Sequence, residues 1–380
     1  MRSFARLLCC AGLVAFACVV PDVELVHSFP GAGGSAAGEE TAGGSSTIAG
    51  TAGSSTEQGG SATAAGAPPS EGGAPDPAVG GASNGAAGQS GEELDNSAPS
   101  CKGLSRTECH GESCCTSPIV PACNGCVAAN GVKVSAAEFR LDKYEVTVGR
   151  FRAFVKAYTG PPKAGSGQQP HIDSSGWQPT WDGNIAASAS KLESDMELRP
   201  CKNLDVRTWT KAPDVGEQKP INCLSWYEAF AFCAWDGGFL PSELQWHLAA
   251  TAGAEARTYP WPGGNLDTDH ALYGACGNGV STACDLTSIL EVGSKPAGAG
   301  KWGQLDLAGS VWEWLLDTTS GSFPGADPCN DCANLEPNGG HHIAGGSWVE
   351  DGSYLPAAQR LGDPSDSIWY NVGIRCARQP

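Results

Sequence analysis

INCLSWYEAFAFCAWDGGFLPSELQWHLAATAG, Ile221–Gly253, encodes two helices together with the signals that start and stop them. Ser225 and Glu228 stand three apart before an apolar run. This is the spacing of a capping box, in which each side chain accepts the other residue's backbone N–H. Gly237-Gly238 stops that helix, because glycine takes the left-handed turn that side chains resist. Ser242 and Gln245 repeat the device at once, and Gly253 ends the second helix. Upstream, FRLDKYEVTVGRFRAFVKAYTG (Phe139–Gly160) reads as a strand leading into a helix. Thr147 caps it, Phe151, Phe154, Val155 and Tyr158 share one face, and Gly160-Pro161 ends it. At that periodicity the aromatic stripe is core rather than a ligand site. Beyond Tyr259, Gly, Pro, Asn and Asp interrupt the chain every few residues, which predicts short strands and long ordered loops.

Globular composition begins near Ala136, and all 12 tryptophans lie beyond it. Just before it, CKGLSRTECHGESCCTSPIVPACNGC (Cys101–Cys126) concentrates six cysteines. Cys123 and Cys126, with His110 near, have zinc-ligand spacing, but an exported chain favours disulfides, and the sequence does not choose their pairing. From Gly31 to about Ser100 the chain is mostly Gly, Ala and Ser, too poor in large apolar residues to offset ordering entropy. MRSFARLLCCAGLVAFAC (Met1–Cys18) has a positive start at Arg2 and Arg6, an apolar run Leu7–Phe16 and a cleavage pattern at Ala15-Phe16-Ala17. That run is too short to span a bilayer. The expected organisation is an export signal at 1–17, a disordered tether at 18–100, a small disulfide segment at 101–135 and the main domain at 136–380.

Cleavage before Cys18 resembles bacterial lipoprotein processing, in which the new N-terminal cysteine is acylated. Setting Cys9, Cys10 and Cys18 apart from the 17 cysteines leaves an even number, as disulfide pairing requires. The expected location is the outer membrane or cell surface through an N-terminal lipid at Cys18, with simple secretion as the alternative. A formal net charge of −18 speaks against nucleic acid and anionic membrane surfaces as partners.

Seven stretches in order carry a family resemblance: LDKYEVT (Leu141–Thr147), PINCLSWYEAFAFCAW (Pro220–Trp235), LPSELQW (Leu240–Trp246), YPWPGG (Tyr259–Gly264), GQLDLAGSVWEW (Gly303–Trp314), AGGSW (Ala344–Trp348) and GIRCAR (Gly373–Arg378). From about Glu138 to Gln379 the chain resembles the formylglycine-generating enzyme, or sulfatase-modifying factor, domain. The resemblance implies a compact, loop-rich α+β fold related to C-type lectins, with short helices and few regular strands. Members with oxidase activity hold copper(I) between two cysteine thiolates that follow the GGS motif, five residues apart. Soft thiolates select that ion. Here the matching positions, in GGSWVEDGSYL (Gly345–Leu355), are Glu350 and Leu355, so no copper and no formylglycine generation are expected. Ser347 and Trp348 match the family and line the same cleft with Glu350.

The resemblance also implies a disulfide between Cys233 and Cys376. It further implies a calcium loop, with backbone carbonyls from Ala308, Gly309 and Val311 and the carboxylate of Glu313, all hard oxygen donors. Ser310 departs from the usual Asn there, and HALY (His270–Tyr273) lacks the Asn that opens a second calcium site. Cys276 and Cys284 are expected to pair with each other, and Cys329 and Cys332, three apart, to enter a local or a long-range disulfide. His341-His342 precede the GGS motif. Neighbouring strand residues point to opposite faces, so they read as a solvated pair rather than a metal site. The functional expectation is a module that binds an unidentified ligand or partner protein without copper oxidase activity. The alternative is an enzyme with altered metal-dependent oxidoreductase chemistry near His341, His342 and Glu350.

Overall fold

A computed structural model describes residues 98–102, 109–128, 131–202, 206–275, 285–320, 329–337 and 339–380. The expectations for the export signal, Cys18, the tether and the Cys276–Cys284 bond lie outside the described residues.

The local signals place three helices. In α1 (Val148–Ala157), Thr147 Oγ1 accepts the Arg150 N–H at 3.2 Å. Helices α3 (Trp226–Trp235) and α4 (Glu243–Ala250) both carry complete capping boxes. Gly237, at φ +79°, provides the left-handed stop after α3. Helix α4 ends at Thr251, and Gly253 opens a separate short turn instead. Helix α2 (Ala189–Leu198) was not anticipated. It buries only Leu192 and Met196, too narrow a stripe to stand out in the sequence.

The strands are short. Strands β1 (Ile119–Val120), β4 (Phe139–Leu141) and β10 (Ala377–Arg378) form one sheet in the order β1-β4-β10. Strands β2 (Cys123–Val127), β3 (Lys133–Ala136) and β6 (Cys329–Asn330) form a second, in the order β2-β3-β6. The third has the order β8-β7-β5-β9, from β5 (Trp312–Thr318), β7 (His341–Ala344), β8 (Arg360–Asp363) and β9 (Val372–Gly373). Strand β5 is buried along its whole length, with β7 antiparallel on one side and β9 parallel on the other.

These pairings correct the boundary at residue 136. The cysteine segment is not a knot set before the domain: β1 pairs with β4, and β2 enters a sheet with β3 and β6. Its cysteines pair as Cys101–Cys115, Cys109–Cys114 and Cys123–Cys126, which leaves no thiolate for zinc. Cys233–Cys376 forms as expected, the local of the two alternatives forms at Cys329–Cys332, and Cys201–Cys223 joins them.

The core between α1 and α3 is aromatic, with Phe151 stacked on Phe232 and Trp181 edge-on to Trp226. Beside it runs a buried ionic network. Arg150 reaches Asp142 at 2.9 Å and Asp236 at 2.8 Å, and Arg378 reaches the same two at 3.0 and 2.7 Å. Burial alone raises the Asp142 carboxyl, but Arg378 and Arg150 hold it below its ordinary value. Ser100 joins from the N-terminal segment, its N–H donating to Asp236 at 2.8 Å and its hydroxyl accepting from Arg150 at 3.1 Å. One charge cluster thus ties the start of the described chain to its last strand.

Candidate functional site

The loop after β7 is turned by two glycines, Gly345 at φ +103° and Gly346 at φ +75°. A Cβ at Gly346 would lie 2.9 Å from Leu355 Cδ1, so the second glycine lets the loop close over that side chain. Ser347, fully buried by this closure, donates its hydroxyl to the Glu350 carboxylate. Asn371, just before β9, donates to Glu350 at 2.9 Å and to the Ser347 hydroxyl at 3.3 Å. The Trp312 side chain, from β5, is a further donor to Glu350. The backbone of Glu350 is fixed as well, its carbonyl accepting the Gly274 N–H at 2.8 Å.

Glu350 is therefore a carboxylate held by hydrogen-bond donors, and burial raises its pKa despite them. No ion pair to it forms among the described residues. Of the other enclosed carboxylates, Glu313 meets Arg375, Glu228 meets Arg199 and Glu243 meets Arg360, whereas Glu145, Asp306 and Asp317 have no ion pair among the described residues. Tyrosines border the site. Tyr354 is edge-on to Trp312 at 6.2 Å, and Tyr370 edge-on to Trp348 at 5.9 Å. Burial, and after it the nearby Glu350 charge, pushes the Tyr370 hydroxyl up; burial, Asp351 and Glu350 do the same to Tyr354. Trp348 is fully buried, and its indole N–H has no partner among the described residues. Leu355 is fully buried in an apolar cluster with Trp261, Ala271 and Ala308.

The two histidines are not a solvated pair. His341 is buried, stacked on Trp226 at 3.7 Å, with Nδ1 at 2.8 Å from Ser365 Oγ. His342 is also buried, its Nδ1 at 3.2 Å from the Leu361 carbonyl. Burial pushes them down to about 3 and about 4, so both are neutral at physiological pH. Strand β7 lies inside its sheet, between β5 and β8, which the sequence did not reveal.

Residues of the expected calcium loop have partners within the protein. Glu313 accepts from Arg375 at 2.8 and 3.0 Å and from the Trp246 indole at 2.7 Å, so its carboxylate is already neutralised and hydrogen-bonded. Ser310 and Val311 donate to Glu145 at 2.9 and 3.1 Å. Gly309 is required by packing, since a Cβ there would lie 2.3 Å from the Leu272 carbonyl, and Ala308 packs under Leu355. Among the described residues no group of three His, Cys, Asp or Glu side chains is arranged to hold a metal ion.

A fold of short strands around a buried VWEW strand, a glycine-closed loop after β7 and a disulfide from α3 to the last strand is the frame the motifs implied. Residues 113–380 match the model of the sulfatase-modifying factor enzyme 1-like domain. The chain belongs to this family. A formylglycine-generating enzyme of Thermomonospora curvata is 26% identical over 267 residues, 65% of this chain and 84% of that protein. The inactive C-alpha-formylglycine-generating enzyme 2 of Mus musculus is 26% identical over 260 residues, 64% of this chain and 76% of the relative. Among solved structures, PvdO from Pseudomonas aeruginosa aligns over 69% of this chain and 93% of its own, at 20% identity and a TM-score of 0.46. This sulfatase-modifying-factor-like domain keeps the family's α+β fold. At the positions the family resemblance assigns to copper thiolates it carries a hydrogen-bonded carboxylate and a core leucine.

Sequence reasoning located Ser347, Trp348 and Glu350 but missed Asn371, Trp312, Tyr354 and Tyr370. Trp312 and Asn371 lay inside or beside recognised motifs. Only the parallel β5–β9 pairing, Trp312 opposite Val372, brings both to the loop.

Proposed function

We propose that this domain is a binding module whose site takes a cationic group, an alkylammonium or guanidinium, against Glu350, and that it performs no copper-dependent oxidation. The observation that carries this is the Glu350 carboxylate, held in place by Ser347, Asn371 and Trp312 with no ion-pair partner among the described residues. An enclosed carboxylate without a counter-charge is unfavourable, and a ligand cation supplies what the protein withholds. Tyr354 and Trp312 beside it add ring faces that attract cations. Copper(I) chemistry of the family kind needs two soft thiolates; Glu350 is a hard donor and Leu355 is none. A relative whose name calls it inactive supports the view that this scaffold is used without the oxidase activity.

The alternative, a metal oxidoreductase built from His341, His342 and Glu350, has less support, because both imidazoles are spent on neighbours within the core. We further read the domain as exported and tethered through the segment before it. Six disulfides among the described residues favour an oxidising compartment. No helix among these residues is long and apolar enough to cross a membrane.

The test is calorimetric titration with alkylammonium and guanidinium compounds against their neutral isosteres. Binding should favour the cations, and Glu350→Gln should weaken it by at least about tenfold. Equal binding by the wild type and the variant would rule the assignment out.

A further inference from the structure

Two disulfides in this chain join cysteines only three positions apart, Cys123–Cys126 and Cys329–Cys332. Cys123 and Cys126 lie on β2 and Cys329 on β6, the two edge strands of one sheet with β3 between them. Val134 pairs with Cys126 on one side and with Cys329 on the other. Neither bond closes a long loop. Cys123 and Cys126 sit on the same strand, whose ends are already fixed opposite Ala136 and Lys133. Cys233–Cys376, by contrast, spans 143 residues. A cross-link that closes so short a loop adds little constraint to the unfolded chain, so Cys123–Cys126 contributes little to stability.

Its surroundings suit chemistry. Cys123 is partly exposed and Cys126 is buried, with Asn124 and Gly125 exposed between them. Strand β2 has β3 on one side and no strand on the other among the described residues. Five large hydrophobic side chains are exposed among these residues, and one of them, Val127 at 47%, is on β2 next to this disulfide, while Ile119 at 39% is on β1 of the other sheet. A free strand edge with apolar side chains is a template for an extended segment of another chain. Cys126, once released, fits its site as a neutral thiol, since it packs among Val134, Leu244 and Leu248.

We propose that Cys123–Cys126 is a thiol–disulfide exchange site for cysteine-bearing polypeptides that dock in extended form along β2. A partner thiolate attacks the exposed Cys123 sulfur, and the Cys123–Cys126 bond breaks. Its electron pair leaves on Cys126, which takes up a proton, and a partner–Cys123 mixed disulfide forms. A second partner thiol, deprotonated, attacks the partner's own sulfur in that bond and releases Cys123, which is protonated in turn. The partner is oxidised by two electrons to a disulfide and the Cys123/Cys126 pair is reduced to two thiols. A low-molecular-weight disulfide in the same compartment reverses the change on this chain by the same two exchanges.

The experiment mixes the intact oxidised protein with a β-forming peptide that carries two reduced cysteines, and separately with dithiothreitol at equal thiol concentration. Acid quenching, alkylation and peptide mapping then follow each disulfide. The proposal expects Cys123–Cys126 to open first, the peptide to emerge as a disulfide, and the peptide to react about tenfold faster than dithiothreitol. Cys126→Ser, given the oxidised peptide, should accumulate a mixed disulfide at Cys123, and Cys123→Ser should not. The Cys329→Ser/Cys332→Ser protein should exchange normally, with unfolding curves checking that each variant is folded. Three results would each overturn the proposal: opening of Cys123–Cys126 no earlier than Cys233–Cys376, a peptide left reduced, or a peptide no faster than dithiothreitol.

Discussion

Burial lifts the Glu350 carboxyl above its ordinary 4.5, although Ser347, Trp312 and Asn371 donate to it. An unfolded chain loses this proton near the ordinary value, and the folded chain loses it later. The folded state therefore binds more protons in that interval, and the stability this contributes is lost as pH rises through the folded midpoint. A bound cation acts the other way, because it favours the ionised form. Ligand affinity should consequently rise with pH through the Glu350 midpoint, with a proton released on binding inside that window. Titrations in buffers of different ionisation heat would show it, and Glu350→Gln should abolish the proton release. A flat affinity across the window would mean that the ligand does not meet this carboxylate. At this scale the sequence revealed the residue but not its environment. The family resemblance pointed to Glu350, whereas Asn371 lies 21 positions away with no local pattern linking the two.

Helix α3 owes its start to one glutamate. Glu228 accepts the Ser225 N–H at 2.8 Å to complete the capping box, and it also receives Arg199 at 2.8 and 3.0 Å. It is almost fully buried. Removing it uncaps the helix and strands a guanidinium, so Glu228→Ala should cost about 3–5 kcal/mol, against about 1 kcal/mol for Ser225→Ala. Urea unfolding of the two variants compares them, and equal small losses would show that Arg199 finds another partner. Helices α1, α3 and α4 were legible because a cap and an apolar face are written within one short window. Helix α2 was not, because its buried stripe is two residues and its position depends on what it packs against. Most strands have only two to four residues and left no period to read, so their pairing, and the burial of both histidines on β7, came only with the assembled sheet.

The molecule closes on itself through charge as well as through Cys233–Cys376. Asp142 and Asp236 are shared between Arg150 of α1 and Arg378 of β10, and Ser100 completes the cluster. The cysteine segment is therefore paired into the domain, and the composition change near Ala136 does not mark where folding begins. A chain cut to 136–380 loses β1, β2 and the Ser100 contacts, and should unfold without cooperativity, whereas 98–380 should unfold in one transition. Circular dichroism against temperature decides between them, and equal transitions would restore the boundary at 136. Across the whole scaffold the family's frame is kept, with Glu350 and Leu355 where the family resemblance places its thiolate pair. Copper(I) titration against a competing chelator tests this most directly, on the wild type and on Glu350→Cys/Leu355→Cys. The account predicts no thiolate-bound copper in the wild type and a single equivalent in the double variant. Copper held by the wild type, or none held by a folded double variant, would contradict it.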